Sequence, residues 1–94
     1  MVQTLKPGSV VISTAGRDSG KVFLVVKIEN GNYVYIADGT LRRLDKPKKK
    51  KVKHLAATSH MLEGIGEKLK EGKKVFDAEI RSALKNVQEA DAHN

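Results

Sequence analysis

The residues most able to do chemistry in this chain are basic. The stretch "RRLDKPKKKKVKHL", residues 42–55, carries eight Lys or Arg in fourteen positions, and Lys48 to Lys51 are consecutive. Clustered cations repel one another, and solubility does not require clustering. The run therefore points to a polyanion, where each neutralised phosphate releases condensed counterions. Its candidate contacts are Arg42, Arg43, Lys46, Lys48, Lys49, Lys50, Lys51 and Lys53, with His54 at the end. A solvated loop and a nuclear-import tract are competing readings of the same letters. The flanking "LRRL" and "VKHL" are patterned like short strands, which argues against a disordered address tail.

A second segment, "AGRDSGKV", residues 15–22, imitates a nucleotide-binding loop. A phosphate loop of the G-x-x-x-x-G-K-[ST] type needs a first glycine, where Ala15 stands, and a final hydroxyl for Mg²⁺, where Val22 stands. The segment also leads into an apolar alternating run, whereas phosphate cradling uses a helix N-terminus. It reads instead as a glycine-supported turn with a basic tip. His54, His60 and His93 are the only imidazoles, no two have the H-x-x-x-H spacing of a helical ligand pair, and there is no cysteine. Nothing resembles a nucleophile elbow or a nucleophile–base pair. The expectation is a protein without catalytic activity, cofactor, metal or small-molecule substrate.

The charge is divided along the chain. Residues 1–57 hold twelve cations against four acids, a net +8, while residues 58–94 hold six against seven, a net −1. Attraction for a polyanion is thereby assigned to the first part, and two units are expected: 1–57 as the binding domain and 58–94 as a helical C-terminal extension. No apolar run approaches the length needed to cross a membrane, and "MVQTLKPGS" has no basic region followed by an apolar stretch. A soluble cytoplasmic protein is the expectation.

The elements that position these residues follow from periodicity. "GSVVIS" is a β-branched run after a Pro7-Gly8 turn. In "KVFLVVKI", Val22, Leu24, Val26 and Ile28 are expected on one face and Phe23, Val25 and Lys27 on the other. Asn30-Gly31 favours a hairpin turn, and "YVYIAD" returns with Val34 and Ile36 opposite Tyr33 and Tyr35. "TLRRL" and "VKHL" complete five short strands, which suggests a small closed barrel. With four aromatic residues in all, a base-stacking platform is poorly supplied, so backbone and shape of folded RNA are the expected readout. After Ala57 the period changes. Ser59 is a candidate cap for a helix with Leu62, Ile65 and Leu69 on one face, ended by Gly72 and weakened by Gly64 and Gly66. Asp77 is a candidate cap for a second helix with the stripe Ile80, Ala83, Leu84 and Val87, before a frayed "EADAHN". Too short to be stable alone, that helix is expected to pack within the chain.

Taken together, "GSVVISTAGRDSGKVFLVVKI" resembles a KOW motif, with Gly20 as the key loop glycine. Phe23 stands where the more frequent version has another glycine. The following "ADGTLRRLDKPKKKKVKHL" makes residues 5–57 similar to the large-subunit ribosomal protein fourteen-e family. That resemblance implies an SH3-like five-stranded barrel; with the short helical segment that periodicity places after it, outside the resemblance, the expected fold is mainly β with α. It implies structured RNA, ribosomal RNA above all, as the partner, with ribosomal proteins as possible neighbours. It makes the loop Gly16, Arg17, Asp18, Ser19, Gly20 and Lys21 an RNA-facing element beside the basic run. The alternative function is a protein-interaction module, docking on a ribosomal, transcription or translation factor through the 80–87 stripe.

Overall fold

β-Branched and aromatic residues are concentrated in residues 9–13, 22–28 and 33–37, and these segments form the first three strands. In the computed structural model, which describes residues 4–92, five strands precede two helices. They are β1 (Ser9–Ser13), β2 (Val22–Ile28), β3 (Tyr33–Ala37), β4 (Lys48–Lys51), β5 (Leu55–Met61), α1 (Glu63–Lys70) and α2 (Asp77–Ala92). All strand pairs are antiparallel, in the order β4-β3-β2-β1-β5. β2 and β3 are joined by residues 29–32, and neither Asn30 nor Gly31 takes the positive φ of the two-residue turn that this pair favours; instead Asn30 Oδ1 accepts the N–H groups of Asn32 and Tyr33 at 2.8 and 3.0 Å. The reading of "MVQTLKPGS" falls partly on residues 1–3, outside the described residues.

Each face of the sheet carries a buried apolar cluster. On one, Val10 and Leu24 pack with Val75, Ile80, Leu84 and Val87, so the helical segment does lie against the strands. On the other, Val11, Phe23, Val25, Val34 and Ile36 form a second cluster, with Leu5, Val52 and Leu55 against it. The alternation expected for β2 holds as far as Val26, which packs with Val22 against the Val10 and Leu24 cluster. The register shifts between Val25 and Lys27, so Lys27 pairs with Tyr35 and Ile28 with Val34. One extra residue, Val26, reverses the faces of everything after it. Lys27 therefore shares a face with Tyr35, and Ile28 falls on the face of Val34, both opposite to strict alternation.

Residues 40–44 are not the strand that "TLRRL" suggests. Asp38 builds a turn there: its Oδ1 accepts the N–H groups of Thr40 and Arg42, both at 2.9 Å, and Arg42 O accepts those of Asp38 and Gly39. The lysine run, expected as a loop and strand edge, itself supplies β4. Val52–His54 form a turn of 3-10 helix, and the last strand starts only at Leu55. β5 continues to Met61, past the change of period at Ala57. Ser59 thus lies within a strand, and α1 is preceded by Leu62.

The helices are tied to the sheet by specific contacts. A Cβ on Gly66 would lie 2.5 Å from the Pro7 carbonyl oxygen, so the glycine that weakens α1 also lets it approach the Pro7-Gly8 turn. Asp77 does not cap α2; its Oδ1 accepts the Leu44 N–H at 2.9 Å and fastens the 38–46 loop to the helix. Glu79 reaches back instead, accepting the Phe76 N–H at 3.1 Å, while its other oxygen holds Lys68 Nζ on α1 at 2.9 Å. The Lys68 hydrogen bond, then the Phe76 N–H, lower the Glu79 pKa from its ordinary value. α2 continues to Ala92, through most of the segment expected to fray.

Candidate nucleic-acid interface

The loop joining β1 to β2 is closed by its own backbone. Ser13 N donates to Lys21 O at 3.0 Å, Gly20 N to Ser13 O at 2.7 Å, and Lys21 N to Asp18 O at 3.0 Å. Gly20 takes φ +87° to allow this, in the region where side chains are strained, and a Cβ there would meet no atom within 4 Å. Gly20 is thus required by backbone conformation, not by crowding.

Asp18 is the centre of the site. Placed at the tip of a charged turn by its sequence, it is only 4% exposed. Its Oδ2 accepts from Arg42 at 3.1 Å and from Lys48 at 3.4 Å. Burial pushes the carboxyl up, but the Arg42 hydrogen bond and charge, with Lys48 adding to both, outweigh it and hold the pKa below the ordinary aspartate value. Nearby, Lys50 Nζ donates to Ala15 O at 2.9 Å, and His54 O accepts the Thr14 N–H at 2.9 Å. These contacts join the glycine-containing loop to the basic run, two segments separated by more than twenty residues of sequence.

Period two divides the four consecutive lysines. Lys48 and Lys50 pair with Ile36 and Val34, on the face of the second apolar cluster, and spend their ammonium groups on Asp18 and Ala15. Lys49 and Lys51 pair with Tyr35 and Tyr33, on the opposite face. There, Lys49 Nζ lies 4.9 Å from the Tyr33 ring centre and 3.3 Å from Glu29, and Lys27 Nζ lies 5.7 Å from the Tyr35 ring centre. The two tyrosines thus already carry ammonium groups. Arg17, Lys21, Arg43, Lys46, Lys51 and Lys53 are exposed, and among the described residues none of these six takes part in an ion pair. Ser19, also exposed, donates its N–H to Gly16 O at 3.2 Å.

Composition does not distinguish a lysine that faces out from one that holds the fold, and it gives no sign that Asp18 is buried. The usable signal lies in parity: once Lys48–Lys51 is recognised as a strand, alternate lysines must face opposite ways. His54 is half-buried at the 3-10 turn, and His93 lies outside the described residues. Among the described residues no group of three or more His, Asp or Glu could hold a metal ion. No described helix is long and apolar enough to cross a membrane. The chain matches no protein-family model and no curated protein.

Proposed function

We propose that the protein is a cytoplasmic, ribosome-associated RNA-binding protein, not an enzyme, that grips the backbone of structured RNA with the 16–21 loop and the basic run. The observation that carries this reading is the Asp18 clamp. A single buried carboxylate draws Arg42 and Lys48 to the loop, and six further cations in the loop and run remain exposed without ion pairs. Backbone contacts of that kind supply affinity and strong salt dependence without base reading. The resemblance of residues 5–57 to the KOW and fourteen-e patterns points the same way.

The same reading makes the sheet an SH3-like barrel. Two features support closure: among the described residues Leu5, Val52 and Leu55 pack over the second cluster, and the end strands β4 and β5 are joined by a single 3-10 turn. Burial of Ile80, Leu84 and Val87 against Val10 and Leu24 favours this reading over a docking helix that would need the same stripe.

Titrating the full chain against an RNA hairpin over a series of salt concentrations tests the function. Binding that weakens linearly on a log–log plot, together with salt-sensitive cosedimentation with the large ribosomal subunit, is the expected result. Salt-resistant copurification with one protein and no hairpin binding would replace it with the interaction-module reading.

A further inference from the structure

The segment from residue 58 onward has a net charge of −1, which by itself would keep it away from a polyanion. The fold redistributes that charge. At the start of α2, Asp77 is occupied by the Leu44 N–H, and Glu79 by Lys68 and the Phe76 N–H. Glu71 pairs with Lys73 at 3.0 Å. One turn further on, Arg81, Lys85 and Gln88 stand at i, i+4 and i+7, on one side of the helix. They line a cleft of about 440 Å³, which Gly20, Lys21 and Thr40 line as well.

The polar groups of this cleft are unevenly engaged. Among the described residues its one carboxylate, Asp38, accepts the Thr40 and Arg42 N–H groups. Arg81 Nη1 donates to Gly39 O at 2.8 Å, which fixes the guanidinium at the wall. Lys21 and Lys85 are exposed, and among the described residues neither is in an ion pair. Three cations therefore face one carboxylate that is already hydrogen-bonded, and two of the three are uncommitted.

We propose that the cleft between the 16–21 loop and α2 is a phosphodiester site, occupied by the backbone of the RNA that the loop engages. Lys21 and Lys85 contact non-bridging oxygens from the two walls, and Arg81, held by Gly39, supplies a fixed positive field. The helical segment is thereby part of the RNA interface and not only a support for the sheet. This rests on the RNA-binding reading above and extends it to α2.

The test compares the full-length chain with Lys85→Gln, Lys21→Gln and, as a control on α1, Lys70→Gln, each titrated with an RNA hairpin over a range of salt. Lys85 and Lys70 are both exposed, so unchanged melting temperatures are expected for both variants. Lys85→Gln and Lys21→Gln should each reduce the log–log salt slope by roughly 0.7–0.9, the loss of one phosphate contact, and weaken binding several-fold at fixed salt. Lys70→Gln should leave the slope unchanged. An unchanged slope in Lys85→Gln, or equal losses in Lys85→Gln and Lys70→Gln, overturns the cleft. If Lys49→Gln and Lys51→Gln still reduce the slope, the RNA-binding reading survives that failure. If wild type shows no salt-dependent hairpin binding, both fall.

Discussion

Replacing Asp18 by Asn removes the charge that holds Arg42 and Lys48 while nearly preserving shape. Asp18 is buried, whereas the Arg42 and Lys48 side chains keep 34% and 33% of their exposure. Breaking a fully buried pair costs about 3–5 kcal/mol because a charge is left stranded. Here both cations are partly exposed, although Arg42 Nε is buried without a partner, so the cost should fall to roughly 1–3 kcal/mol. For a domain of this size each kcal/mol shifts Tm by about 4–8 °C. The sign with pH follows from the lowered folded-state pKa. The clamp's contribution is fully present above the unfolded value of about 3.9 and is lost as pH falls through the lower folded value. Urea melts of wild type and Asp18→Asn should therefore differ most near neutral pH and converge only below about pH 4. RNA binding supplies a second, independent readout. Asp18→Asn raises the net charge by one, which alone would tighten binding, but releasing the loop from the basic run should weaken it. Equal stability at pH 7, a gap that persists unchanged into strong acid, or tighter RNA binding would each refute the clamp.

Ile80→Ala, at a side chain with no exposure in the cluster with Val10 and Leu24, should cost about 2–5 kcal/mol in denaturant unfolding with an unchanged m-value. A loss below about 0.5 kcal/mol, the range of surface substitutions, would mean that α2 is not part of the cooperative unit. The lysine pairs should separate two functions. Lys49→Gln with Lys51→Gln should reduce the RNA salt slope by up to roughly 1.4–1.8 with little change in Tm, whereas Lys48→Gln with Lys50→Gln should lower Tm. Gly20→Val should destabilise the fold by about 1 kcal/mol or more through its positive φ, and wild-type melting would show that the loop tolerates a side chain there.

The parts of this fold legible in the sequence are those fixed by local chemistry. β1, β2 and β3 announce themselves through β-branched alternation and the turn residues Asn30-Gly31, though the turn is built by the Asn30 side chain and not by positive φ. The stripe Ile80, Leu84 and Val87 likewise names its own buried face. The basic run was harder because lysine is a poor strand former, and β4 exists through partners elsewhere: the β3 ladder, Asp18 and Ala15. Four lysines at one end of the strand order also suit an edge strand, where charge discourages pairing with another chain. "LRRL" misled for the opposite reason: its pattern is strand-like, but Asp38 and Asp77 capture the N–H groups a ladder would need. Nor does local alternation reveal the extra residue at Val26, which is visible only against β3. Of the candidate interface, the residue types were legible and their division into inward and outward groups was not.

The cluster joining Val10 and Leu24 to Val75, Ile80, Leu84 and Val87 also sets the timing of folding during synthesis. When β1 to β3 have left the ribosomal exit tunnel, the partners for one of their apolar faces do not yet exist. At about 5–20 residues per second, the roughly 60 residues from Leu24 to Val87 take some 3–12 s to make. Once β4 has followed, and until α2 emerges, the nascent sheet offers an open apolar surface beside a strongly basic edge, on a particle built largely of RNA. The cations would hold the nascent chain close to that RNA while its apolar face waited for α2. Ribosome-bound chains halted before residue 75 should accordingly be more protease-sensitive at Val10 and Leu24 than chains halted with α2 fully emerged.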